Sequence, residues 1–206
     1  MWGTGVRAKQ MVKAEEQRLI RLAAAGDRDS AQELIKAHQR SLYAYLYRLS
    51  GRSDVAEDVA QDAFVRVLTN LDRFDPRFRF STWLFTIARR LFLNFREKRR
   101  PMNGSEAMGA WGSESGRPEG GVVRAESNVV AKDALQRALM GLSLDQREVM
   151  VLFHQLDWPI WLIAEHLGMP EGTVKSHLHR GRRRLREVLA AKTVVTTEQT
   201  LEEAWL

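Results

Sequence analysis

The chain has 206 residues, 44% of them hydrophobic, which is enough for one domain or two small ones with packed cores. Its 32 Lys and Arg against 26 Asp and Glu leave a formal net charge of +6, a balance compatible with a polyanion or an acidic partner. There is no cysteine, which excludes disulfides, thiolate metal sites and a cysteine nucleophile, and no apolar run reaches the roughly 20 residues of a membrane span.

Met1 to Lys13 lacks the apolar core of a secretory signal, so a cytoplasmic protein without membrane insertion is expected. The first domain, residues 14–100, reads as all-helical. Leu34, Ile35, His38, Leu42, Tyr45, Leu46 and Leu49 recur three or four apart and line one helix face. Gly51-Arg52-Ser53-Asp54 breaks that helix, and Ser53 or Asp54 can cap the next. Val55, Val59, Ala63, Phe64, Val67, Leu68 and Leu71 form a second stripe. Asp75-Pro76 marks a turn, after which Ser81 or Thr82 is expected to cap a third helix with Trp83, Leu84, Ile87, Ala88, Leu91, Phe92 and Phe95 inward.

Composition then shifts. From Pro101 to Gly121, six Gly, three Ser and two Pro make a stretch that cannot bury enough apolar surface to offset its ordering entropy. Residues 101–127 are therefore expected to be a flexible linker, with Trp111 its one residue that could dock on a partner. The second domain, 128–190, is also helical: one helix near Asn128 to Gly141, another after Ser143 with Asp145 in its first turn, then a short apolar helix, a Gly-Met-Pro turn and a basic helix. No strand pattern of useful length and no internal repeat is present. The tail, 191–206, is too short to assign. The expected fold class is all-α: two small helical domains joined by a flexible linker.

The helix-turn-helix carries the first chemical signal, since its second helix can lie in the DNA major groove. Val174, Leu178, Gly181, Leu185, Val188 and Leu189 would face the core, leaving Lys175, Ser176, His179, Arg180, Arg182, Arg183 and Arg186 outside. From Glu171 to Ala190 six basic residues stand against two acidic ones. Arg and Lys neutralise phosphates, and near a helix N-terminus they reach base edges with Ser and His. A solvated charged face is the commoner meaning of such a run; the Gly168 and Pro170 turn directly before it favours DNA.

A second basic cluster, Arg89, Arg90, Arg96, Lys98, Arg99 and Arg100, follows the third stripe of the first domain. Phe74, Phe78, Phe80, Trp83, Phe85, Phe92 and Phe95 interleave with Arg73, Arg77 and Arg79 around it, a mixture suited to single-stranded nucleic acid. Trp83, Phe92 and Phe95 read as core; Arg77, Arg79 and the loop before Ser81 read as contact. Asp54, Glu57, Asp58, Gln61 and Asp62 make the outer side of the second helix acidic. Without a histidine or further acid to close a ligand shell this reads as a solvated face, not a metal site. His177 and His179 do not share a helix face, His154 and His166 have no His-Glu-x-x-His context, and His38 sits on an apolar stripe. No catalytic residue, metal or cofactor is expected.

Ala56-Glu-Asp-Val-Ala-Gln-Asp-Ala-Phe64 resembles the region-2 motif of sigma-70-family factors of the small extracytoplasmic-function (ECF) type. Residues Phe74 to Arg89, with Trp83-Leu84 and Ile87-Ala88, are similar to its continuation. Leu142-Ser-Leu-Asp-Gln-Arg-Glu-Val149 is similar to the start of region 4, and Gly172-Thr-Val-Lys-Ser-His-Leu-His-Arg180 resembles the recognition helix. The resemblance covers about residues 16 to 100 and 128 to 190. It implies a non-enzymatic promoter-specificity subunit of bacterial RNA polymerase. Glu57, Asp58, Gln61 and Asp62 would dock on the clamp helices of the polymerase β′ subunit. Asn70, Phe74, Arg77, Arg79, Arg89 and Arg90 would read and hold open the minus-ten strand. Lys175, Ser176, His177, His179, Arg180 and Arg183 would face the minus-thirty-five duplex. Core RNA polymerase, promoter DNA and an anti-sigma factor are the implied partners. The chain departs from the family at Arg90, where Asn is common, at Leu162, where Glu is favoured, at His177, where Arg is common, and at Trp158, Pro159 and Trp161, which replace a more polar stretch. The alternative is a helix-turn-helix regulator that acts without polymerase; it accounts for 159–190 but not for the first-domain motif.

Overall fold

The computed structural model describes residues 13–99 and 123–190, with side chains for 13–99 and 131–190. The expectations for the linker up to residue 122, Trp111 included, and for the 191–206 tail lie outside the described residues. The described chain falls into two compact units, one holding 13–99 and the other 123–190, and every described regular element is helical.

In the first unit, α1 (Lys13–Ala24) and α2 (Arg28–Ser50) are joined by a tight turn. Asp27 starts α2 by accepting from the Ser30 N–H at 2.9 Å, which satisfies one of the unpaired donors at a helix start. Gly51 ends it at φ 71°, where a side chain would be strained, and donates to Tyr47 at 2.8 Å. Helix α3 (Ser53–Leu68) packs on α2 and on α4 (Phe80–Lys98), and a single 3₁₀ turn at Leu71–Arg73 lies against α1. The stripes meet as expected: Leu34, Leu42, Tyr45, Leu46, Val55, Val59, Ala63, Val67, Leu84, Ala88 and Phe92 are buried.

Two local expectations are corrected. Neither Ser81 nor Thr82 caps α4; the helix starts at Phe80, with Arg79 at the cap position and no side-chain cap bond. Phe80 is fully buried, and the helix begins early enough to carry that ring into the core. Likewise Arg52, not Ser53 or Asp54, is the cap residue of α3. Asp54 lies in its first turn, held by the Arg52 guanidinium, whose Nε donates to it at 3.0 Å.

In the second unit, α5 (Val123–Met140) begins inside the stretch expected to be linker. Helix α6 (Leu144–His154) opens on a reciprocal capping box. The Gln146 N–H donates to Ser143 Oγ at 3.3 Å, and the Ser143 N–H donates to Gln146 Oε1 at 3.4 Å. Helices α7 (Ile160–Leu167) and α8 (Glu171–Ala190) complete the unit, and α8 packs on α5, α6 and α7. Gly181 marks the closest approach: a Cβ there would stand 2.9 Å from Cγ and Sδ of Met150, which is itself buried. Overpacking a core typically costs about 1–3 kcal/mol. Gly181→Leu is therefore expected to lower the melting temperature of the second unit in differential scanning calorimetry. Gly181→Ala should shift it far less, because helix propensity returns about 1 kcal/mol.

Candidate functional site

The helix-turn-helix is built by its turn. Gly168 closes α7 at φ 66°, and the Met169 N–H donates back to Ala164 at 3.0 Å. The Pro170 carbonyl then accepts from Thr173 and Val174, at 2.9 and 3.2 Å, to start α8. With Val174, Leu178, Gly181 and Leu185 buried, the opposite face is fixed by the helical repeat. Lys175, His179, Arg180 and Arg183 are exposed on it and Ser176 is half-buried.

The basic residues are not equivalent. Lys175 lies 3.8 Å from Glu171, and Arg183 lies 3.6 Å from Glu187, exposed pairs that are weak and readily exchanged for phosphate. Arg182 is anchored: its guanidinium stands 5.3 Å over the Phe153 ring, and its Nε donates to His154 Nε2 at 3.2 Å. Burial, with Arg182 beside it, pushes His154 down to about 4, so the ring is neutral near pH 7 and can accept that bond. His177 is turned partly inward, with Nδ1 enclosed and no hydrogen-bond partner among the described residues. Ser176 is also engaged, its hydroxyl donating to the Gly172 carbonyl at 2.9 Å, so His177 and Ser176 are the two of the six residues expected at the duplex that are not fully exposed.

The departures at the entrance of the motif separate into core and surface. Trp158 is buried, its ring 5.1 Å from His166, and its backbone N–H donates to the Leu152 carbonyl at 3.1 Å. It is a core residue, so this departure from the family's more polar stretch is absorbed by packing. Trp161 is 58% exposed.

In the first unit, the loop between the 3₁₀ turn and α4 is stiffened locally. The Arg77 N–H and Nε both donate to Asp75 Oδ1 at 3.0 Å, and the guanidinium holds the Asp75 carboxyl below its ordinary range. Phe78 is 52% exposed at the tip. Phe74, the ring expected to meet bases, is half-buried instead, 5.4 Å from Trp83 and 6.0 Å from Phe80. Phe80 and Phe85 are buried and unavailable to nucleic acid. Asn70 is occupied too: its Nδ2 donates to the Arg66 carbonyl at 2.8 Å and closes the end of α3. Arg79 and Arg90 are exposed, and Arg89 is half-buried. The ring that stands out for stacking is thus Phe78. The aromatic-basic pattern included it, but nothing in the sequence distinguishes it from its neighbours.

The acidic face of α3 borders an open groove lined by Asp58, Val59, Gln61, Asp62, Leu91 and Phe95. Leu91 and Phe95, whose spacing in the α4 stripe points them to the core, are half-buried and line this groove instead. Glu57 is not among the lining residues; its charge acts on Tyr43 of α2, whose hydroxyl is pushed up first by burial and then by Glu57. Among the described residues, no group of His, Asp and Glu has the arrangement of a metal site, and no helix is long and apolar enough to cross a membrane.

The fold is that of an all-helical protein with two units, one of them carrying a helix-turn-helix. Residues 34–101 match the family described as Sigma-70 region 2, and residues 132–185 match Sigma-70, region 4. The chain belongs to the sigma-70 family, in its ECF group. It is 32% identical over 180 residues to the ECF RNA polymerase sigma factor SigW of Bacillus subtilis, covering 82% of this chain and 94% of the relative. It is 33% identical over 162 residues to the ECF RNA polymerase sigma factor EcfG of Rhodopseudomonas palustris, covering 78% and 86%. Among solved structures it resembles the sigma factor RpoE, in complex with the anti-sigma factor NepR, from Bartonella quintana. That likeness has a TM-score of 0.60 at 26% identity over 79% of this chain and 98% of the other.

Proposed function

We propose that this chain binds core RNA polymerase, directs it to specific promoters and helps open the minus-ten region. The observation that carries the reading is the pairing, in one chain, of an open, largely acidic groove on the first unit with a basic helix-turn-helix on the second. Asp58, Gln61 and Asp62, with Leu91 and Phe95, would form the dock for the β′ clamp helices. Phe78, Arg77, Arg79 and Arg90 would hold the separated minus-ten strand, the ring by stacking and the cations along the backbone. Lys175, Ser176, His179, Arg180 and Arg183 would contact the minus-thirty-five duplex. The protein would act in the cytoplasm, and this reading asks for no covalent chemistry from its own side chains. The solved complex of a related sigma factor with an anti-sigma factor supports a regulator of that kind here.

Reconstituted transcription with core polymerase on genomic DNA, followed by mapping of start sites, tests the whole reading. Discrete starts that depend on this chain are expected; specific DNA binding that needs no polymerase would favour an independent regulator. Within that assay, Lys175→Ala with Arg180→Ala is expected to lower initiation at a minus-thirty-five-dependent promoter by about tenfold or more. If the lost contacts are to phosphates, the salt slope of promoter binding should also fall by about 1 for each cation removed. Core-polymerase affinity should stay unchanged; an unaltered promoter response would remove α8 from the duplex.

A further inference from the structure

The loop that carries Arg77, Phe78 and Arg79 is held from outside by α1. Gln17 on that helix donates from Nε2 to the Pro76 carbonyl at 3.1 Å, across 59 residues of sequence. One residue earlier, Glu16 is buried, and its Oε1 lies 3.4 Å from Nε2 of His38 on α2. The His38 ring stands 5.2 Å from the Phe80 ring, and Phe80 in turn meets Phe74 at 6.0 Å and Trp83 at 6.1 Å. Helix α1 therefore touches the loop directly at Pro76, near its tip, and reaches its base only indirectly, through His38 of α2 and the aromatic cluster. The buried Ile20 seats the helix, and the 3₁₀ turn that leads into the loop packs on it.

An apolar residue would seat α1 at lower cost than Glu16, because an enclosed carboxylate loses its hydration. Nor does the Gln17 bond lie within a helix or cap one: its acceptor is a loop carbonyl. These groups fit a requirement for one loop pose more closely than a requirement for burial. Glu16 and Gln17 also lie outside residues 34–101, the segment that matches Sigma-70 region 2.

We infer that Gln17, assisted by Glu16 and His38, is a positioning residue for capture of the opened promoter strand. Helix α1 presents Phe78 and its flanking arginines in a preformed loop, so that less ordering entropy is lost when the strand binds. The inference rests on the reading of the 70–79 loop as the minus-ten contact and deepens it.

The test uses the full chain bound to core polymerase and a fork-junction DNA carrying the minus-ten strand of a promoter mapped with the wild-type protein. Gln17→Met keeps the side-chain length and removes the donor; Gln17→Lys keeps a donor of similar reach. Gln17→Met is expected to weaken fork binding about three- to tenfold, the effect of one hydrogen bond, with core-polymerase affinity and minus-thirty-five duplex binding unchanged and the melting temperature lowered by only about 3–10 °C. Gln17→Lys should restore most of the loss. Wild-type fork binding by Gln17→Met, an equal defect in Gln17→Lys, or a parallel loss of core binding would each overturn the anchor while leaving the loop's role intact. Failure of the wild-type holoenzyme to bind the fork at all would remove the loop reading and the anchor with it.

Discussion

Asp58→Arg combined with Asp62→Arg is expected to reduce association with core polymerase on the order of a hundredfold or more, because like charges placed across an interface cost several kcal/mol. Both carboxylates are exposed on α3 and line the groove together with Leu91 and Phe95. Their reversal should leave the free protein folded. Asp54, Asp58 and Asp62 step by four along one helix, where like charges repel slightly, so removing two of them relieves strain in α3. A loss of binding could not then be ascribed to unfolding, which circular dichroism of the free chain would check. Glu57→Arg supplies the contrast. Glu57 is exposed on the same helix but acts toward Tyr43, outside the groove, and its reversal should cost less than tenfold if the groove is the dock. Competition binding against labelled core polymerase reads both variants. Wild-type affinity in the double variant would end the assignment of this face to polymerase.

Arg147→Met is expected to destabilise the second unit by about 2–4 kcal/mol, since buried acceptors lose a charged donor. Arg147 is 8% exposed. Its Nε donates to the Leu139 carbonyl at 2.9 Å, and Nη2 donates to the Met140 and Leu142 carbonyls at 3.2 and 3.1 Å. The last carbonyls of any helix lack intrahelical partners. Here one guanidinium on α6 closes the end of α5 and fixes the turn between them. Methionine would roughly fill the volume and satisfy none of the three. For a domain of this size the melting temperature should fall on the order of 10–20 °C in scanning calorimetry. Arg147→Lys should recover little, because a single ammonium cannot span three diverging acceptors. An unchanged melting temperature in Arg147→Met would mean that the guanidinium only fills space.

Much of the fold was legible along the chain. The stripes on α2, α3, α4 and α8 follow from the 3.6-residue repeat, and Gly51, Ser143 and Gly168 fall at helix boundaries because their local chemistry suits those positions. The start of α4 was not legible. Ser81 and Thr82 are better caps by type than Arg79, but the burial of Phe80 outweighs cap preference. The start of α5 at Val123 was missed because the residues before it resemble linker in composition.

The candidate sites divide in the same way. Sequence by itself determined the charge of each surface, the helix-turn-helix and the region-2 and region-4 motifs, because these depend on residue type and spacing within one segment. Tertiary structure decided which of those side chains remain available. It turned Phe74 toward Trp83 and left Phe78 exposed. It used Asn70 to close α3, fastened Arg182 to α6, buried Trp158, and set Leu91 and Phe95 in the acidic groove. Each of these outcomes depends on a partner distant in sequence or on the local path of the backbone. Periodicity reports only the helix face on which a residue stands, and the packing around that face settles whether its polar atoms and rings are still free to meet another molecule.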